Sequence, residues 1–204
     1  MSRIAQWDTN RLTTECSAPT MERANRYFMQ KWPDPTTTIL TERERPSNIW
    51  TRATYYEGLL ALYRINRDAA LYQYALEWAT FHKWGLRNGN TTRNPDDQCC
   101  GQVYIEMYDI DPHEERLANI TACINNVLND TRVDDWSWVD TIHMAMPIYA
   151  KLGAHYNNSA YFDKMYELYE FTKNQHGDAG LSSRDDHLWW RDADFDPPYA
   201  EPNG

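Results

Sequence analysis

The stretch Asp134-Asp135-Trp136-Ser137-Trp138-Val139-Asp140-Thr141-Ile142-His143-Met144-Ala145-Met146-Pro147 places one carboxylate, Asp140, among aromatic and apolar residues. Read as one helix, it puts Trp136, Asp140, His143 and Met144 on a single face, because residues three and four apart are neighbours. A carboxyl group in such surroundings is disfavoured as the anion, so its pKa rises and it can act as a general acid near neutral pH. The competing reading is an acid in a first helical turn, held by the helix dipole.

Working outward, hydrophobic residues recur at helical spacing along most of the chain. A helix starting near Ser17 or Thr20 carries Met21, Ala24, Tyr27, Phe28 and Trp32, and ends at Pro33 and Pro35. Residues 33–47 read as a loop. Ser47-Asn48 is an N-cap pair for a second helix over 49–65, and Asp68 caps a third. Residues 84–96, rich in Gly, Asn, Thr and Pro, form a loop before a fourth helix over 97–108. Asp111-Pro112 opens a fifth, and the quoted stretch forms a sixth that ends near Gly153, with a kink expected at Pro147. Asn158-Ser159 caps a seventh. After Gly177 the chain reads as loop, apart from a short strand candidate at 187–191.

The fold class is therefore all-α. Gly58, Gly101 and Met144 lie 43 residues apart, each in a more apolar helix preceded by a polar loop. More amphipathic helices alternate with these. That is the pattern of helical hairpins arranged as inner and outer rings, with the loops into the inner helices gathered on one face. Asp96, Asp97 and Asp140 all fall at the starts of inner helices in this scheme.

Composition narrows the function. A net charge of −10 leaves no basic footprint for nucleic acid. No apolar run approaches the ~20 residues of a membrane span, and no secretory leader is visible after Met1; the compartment is left open between cytoplasmic and periplasmic. Adjacent Cys99-Cys100, with Cys16 and Cys123, fits no zinc spacing and reads as free or buried thiols. No phosphate loop, dinucleotide fingerprint, Gly-x-Ser-x-Gly elbow or His-Glu-x-x-His is present, so no cofactor or metal is expected. Nine Trp and fourteen Tyr exceed what the core needs and suit the faces of sugar rings.

Two further constellations stand out. Asp96-Asp97 is either an N-cap with a first-turn acid or a catalytic pair, and Gly101 just beyond lets a ligand or another helix come close. Trp189-Trp190-Arg191-Asp192 is either a lid over the end of the fold or a substrate contact in which Arg191 meets a carboxylate. His143 orients Asp140, touches substrate, or is a satisfied structural histidine.

Taken together, Trp50-x4-Tyr55-Tyr56-Glu57-Gly58, Asp96-Asp97-Gln98-x2-Gly101-Gln102-x-Tyr104, Trp138-Val139-Asp140-Thr141-x2-Met144, Leu188-Trp189-Trp190-Arg191-Asp192 and Pro198-Tyr199-x-Glu201-Pro202-Asn203-Gly204 resemble the unsaturated glucuronyl and rhamnogalacturonyl hydrolases of glycoside hydrolase families 88 and 105, more closely 105. The resemblance covers residues 20 to 204. It implies an (α/α)6 barrel, present here in part, as about seven of twelve helices in a single domain. It also implies hydration of the C4=C5 bond of the 4,5-unsaturated uronic acid at the non-reducing end of lyase products. The family's acid/base maps onto Asp140 and its second essential acid onto Asp96 or Asp97. Trp50, Trp138, His143, Trp190 and Arg191 are the implied substrate contacts. The expected partner is an unsaturated oligosaccharide. An incomplete ring is further expected to expose apolar inner helices and to self-associate. Two other functions fit the same residues: a non-catalytic carbohydrate-binding or helical-repeat module, and an (α/α)6 hydrolase of ordinary glycosidic bonds, which needs two carboxylates across the bond.

Overall fold

A computed structural model of the chain describes residues 14–40 and 43–195. The Pro198–Gly204 motif lies outside these residues. Seven helices of three turns or more are present among them: α1 (Thr14–Lys31), α2 (Trp50–Asn66), α3 (Ala69–Phe81), α5 (Cys100–Ile110), α6 (Glu115–Leu128), α7 (Thr141–Tyr156) and α8 (Ser159–Asn174). A single turn, α4 (Pro95–Gln98), precedes α5. The all-α expectation holds. Within the segment expected to be loop, β1 (Ile39–Leu40) and β2 (Glu44–Arg45) pair as a small antiparallel ribbon.

Consecutive helices pack as hairpins, α2 on α3, α5 on α6 and α7 on α8, while α2, α5 and α7 pack side by side in that order. Gly58, Gly101 and Met144 sit on these three neighbouring helices, so the 43-residue period does mark an inner row. Gly101 is where α6 comes close, since a methyl group there would overlap the Ile120 side chain. Its smallness therefore serves helix packing.

The core is strongly aromatic. Tyr56 of α2 stacks on Trp78 of α3 at 4.2 Å, and Trp78 meets Tyr104 of α5 at 5.6 Å. Their polar ends are satisfied: Trp78 Nε1 donates to the Ser47 carbonyl at 3.3 Å and the Tyr104 hydroxyl to that of Gly85 at 3.0 Å. Cys99, Cys100 and Cys123 are free and buried.

Several boundaries differ from the sequence reading for local reasons. Asp68 and Asn158 cap α3 and α8 as expected, accepting from Ala70 and Ala160. Ser47 and Asn48 do not cap α2; their side chains bond His82 and the Gly85 carbonyl, and so tie α2 to the far end of α3. The fourth helix is broken at Cys99, and the fifth begins at Glu115. The quoted stretch is not one helix. Residues up to Val139 are outside the helix and α7 starts at Thr141 with Asp140 as its cap, so Asp140, His143 and Met144 follow one helical turn but Trp136 does not share their face. The Thr172 hydroxyl bonds the Trp136 carbonyl at 2.7 Å, which ties that segment to α8.

α7 runs through Pro147 to Tyr156. A proline there cannot donate to the carbonyl four residues back, that of His143. Gln102 of α5 supplies the missing donor: its Nε2 reaches the His143 carbonyl at 2.7 Å and that of Met144 at 3.1 Å.

Candidate active site

The loops entering α2, α5 and α7 meet at one end of the inner row. The cavity they enclose, of about 420 Å³, is lined by Trp50, Asp96, Asp134, Trp138, Asp140 and Thr141, with Arg93, Arg132 and Asp135 in its wall. That volume is in the range of small-molecule sites.

Asn94 builds the turn that carries the acid pair. Its side chain accepts from the Asp96 amide at 3.0 Å, and Pro95, lacking an amide hydrogen, opens the turn. The two neighbouring acids then diverge. Asp97 is fully buried; its Oδ2 accepts from Asn88 and Thr92 at 2.8 Å each, and its Oδ1 faces Arg87 at 3.6 Å. It holds the 88–92 loop against α4. Asp96 is half-buried and faces the cavity. Burial pushes its pKa up, and the charges of Asp140 and Asp97 add to the rise, against Arg87 and Arg45.

Asp140 is the N-cap residue of α7 and is exposed. The sequence reading had it enclosed in an apolar helix, and that setting is corrected: Asp140 is exposed at the helix start, and of its two tryptophan neighbours only Trp138 shares its cavity. Trp136 is buried against Tyr149 at 5.8 Å. Trp138, 45% exposed, stays in the cavity wall. The surroundings of Asp96 favour its protonated form.

The wall opposite is rigid. Arg93 forks onto Asp135, with its Nε 2.6 Å from Oδ1 and its Nη2 on Oδ2, and also reaches Asp130 at 3.1 Å. This ties the loop before α4 to the segment before α7. Arg132 bonds the same Asp135 at 3.0 Å, but its side chain is 57% exposed. Sequence reading missed Arg93 and Asp135, because a pair 42 residues apart in two loops leaves no periodic trace.

Of the remaining expected contacts, Trp50 is in the cavity wall and Trp138 beside it. Arg191 lies behind Trp138, its guanidinium 4.6 Å from that ring and 4.0 Å from Phe195, with Nε bonded to Asp192 at 2.8 Å. The strand candidate at 187–191 does not form a strand: Trp189 alone makes an isolated bridge, to Ser182, and Asp192 just beyond the span bridges Trp138 and docks the tail onto the cavity rim. Trp190 is elsewhere, in a separate hollow beside Ser182 and Arg184. His143 points away from the cavity lining and pairs with Glu57 at 3.3 Å. Among the described residues no group of three or more His, Cys, Asp or Glu side chains is gathered that could hold a metal ion. No described helix is long and apolar enough to cross a membrane.

An all-α array of hairpins with an acid-lined cavity at the mouths of its inner helices defines the class to which this chain belongs. Residues 20–204 match glycosyl hydrolase family 88, and the chain is a member of that family. Among solved structures, it superposes on a glycosyl hydrolase family 88 protein from Bacteroides vulgatus with a TM-score of 0.77 at 22% identity, over 91% of this chain and 53% of the other. A chain described as a polysaccharide lyase gives a TM-score of 0.77 at 20% identity, over 92% of this chain and 53% of its own length. The chain thus spans about half the length of these structures, in keeping with half of an (α/α)6 barrel. No curated protein matches it.

Proposed function

We propose that this domain removes a 4,5-unsaturated uronic acid from the non-reducing end of lyase-generated oligosaccharides. The observation that carries the reading is that Asp96 and Asp140, delivered by two different hairpins, face one cavity. Burial and the charges of Asp140 and Asp97 raise Asp96, so it holds its proton more tightly than an isolated aspartate. Asp140 is the acid/base and Asp96 its partner, which keeps that proton within the pair. Protonation of C4 of the enol ether leaves a cation at C5 that the ring oxygen stabilises. Water adds at C5, giving up its proton to the carboxylate, and the resulting hemiketal opens and releases the neighbouring sugar. Trp50 and Trp138 offer apolar faces for the sugar rings. Arg132, exposed in the cavity wall, is the cation available to the uronate carboxylate.

The test is the loss of the ultraviolet absorbance of the conjugated unsaturated uronate when an unsaturated disaccharide is incubated with the protein. Asp140→Asn is expected to slow that loss by about 10²–10⁴-fold, the range for a general acid. A variant that turns over like the wild type removes Asp140 from the chemistry. Release of sugar from a saturated substrate instead moves the reading to an ordinary glycosidase.

A further inference from the structure

Glu57 stands on α2 outside the cavity lining, and neither acid's chemistry uses it. Its two carboxylate oxygens serve two different segments. Oε1 accepts from the Cys99 thiol at 3.5 Å, and Oε2 lies 3.3 Å from His143 Nε2. Cys99 is fully buried and immediately follows the turn that carries Asp96. His143 lies in the first turn of α7, three residues after Asp140. One carboxylate therefore grips both acid-bearing segments from a third helix.

An exposed Glu–His pair alone contributes little. Glu57 differs because its side chain is only 22% exposed and one oxygen is turned inward onto a thiol, a weak donor. Burial raises its pKa, against the lowering effects of His143, the Cys99 hydrogen bond and Lys151. These are the titratable groups that face it: Cys99 from the α4–α5 junction, His143 and Lys151 from α7. An apolar residue would fill the same space without that electrostatic penalty, so the position keeps a carboxylate at some loss of stability. We infer that Glu57 is a positioning residue that sets the separation of Asp96 and Asp140 by holding Cys99 and His143 at once.

The kinetic consequences rest on the function proposed above; the geometric one does not. Burial is the largest cause of the rise in Asp96 and the charge of Asp140 the next, so a change in the separation of the two acids moves the titration of Asp96. The experiment compares wild type, Glu57→Gln and Glu57→Ala by carboxyl carbon NMR against pH, with kcat and KM measured alongside. In Glu57→Ala the titration of Asp96 is expected to fall toward that of an ordinary aspartate. Its kcat is expected to drop by about tenfold to a hundredfold with KM within about twofold, as for a small misplacement of reacting groups. Glu57→Gln retains an acceptor for Cys99 and a partner for His143, and is expected to hold Asp96 and most of kcat near wild type. An Asp96 titration unmoved in the folded Ala variant overturns the inference, as does a Gln variant that behaves like Ala. If Glu57→Ala does not fold, Glu57→Asp, too short to reach both partners, must lower the Asp96 titration, and failure to do so overturns it equally. Absence of turnover in the wild type counts against the proposed function alone, since the carboxyl titration still decides the geometry.

Discussion

Asp96 and Asp97 are adjacent on one turn, and their environments divide the labour between them. The sequence marks the pair and its helix start, but says nothing of which carboxylate turns inward. That is settled by the 88–92 loop, whose Asn88 and Thr92 side chains claim Asp97. Asp97→Ala leaves two donors without their acceptor and is expected to cost about 2–4 kcal/mol in urea unfolding. Asp96→Asn should act in the opposite direction. The folded pKa of Asp96 is raised above its unfolded value near 3.8, so the folded state holds its proton more tightly. The resulting penalty is absent below the unfolded pKa, grows as pH climbs through the folded one, and is complete above it. Asp96→Asn is therefore expected to raise Tm at pH 7 by roughly 2–4 °C for each kcal/mol of penalty removed, and to leave it unchanged at pH 3. An equal shift at both pH values contradicts the electrostatic account.

At the level of elements, periodicity located the helices well and their beginnings less well. Asp68 and Asn158 were legible as caps because the capping bond is local. Ser47 and Asn48 have the same local pattern, but partners on α3 and in the loop after it outcompeted the helix for their side chains. The start of α7 was hidden for a related reason. Trp136 and Trp138 continue the apolar pattern N-terminal to Thr141, yet their segment is not helical and a bond from Thr172 ties it to α8. No local signal announces that contact. The Gln102 bridge to α7 yields a direct prediction. Gln102→Leu strands the His143 carbonyl and should cost about 1–3 kcal/mol, seen as a Tm lower by roughly 2–12 °C. A variant as stable as wild type shows that the carbonyl finds another donor.

For the molecule as a whole, the 43-residue period was enough to separate inner from outer helices. It did not foresee the side of the inner row away from its hairpin partners. There Glu106 of α5 bonds Arg64 of α2 at 2.7 Å and Lys151 of α7 at 3.1 Å, so ion pairs span all three helices where continuous apolar surface was expected. The opposite side is buried and aromatic, and it governs behaviour in alkali. Burial pushes the phenols of Tyr56, Tyr104 and Tyr149 above their ordinary value of 10. A raised phenol contributes stability that is fully present below pH 10 and is lost as pH rises beyond it. Three such groups steepen the decline to about 4 kcal/mol per pH unit. A phenolate absorbance titration should accordingly show exposed tyrosines ionising gradually and these three only in the unfolding step. Smooth ionisation of every tyrosine before any loss of helix would contradict the packing.

Pro147 and Gln102 together have a consequence for how this chain can change over generations. Gln102 acts as a surrogate for a main-chain amide that α7 lacks, so the two positions form one heritable unit although they lie on different helices. While Pro147 is present, drift at residue 102 is confined to side chains that can donate across the gap. Once an ordinary residue replaces the proline, the helix closes its own ladder and residue 102 is released. Lineages of this domain should therefore exchange the two residues in that order, the proline first.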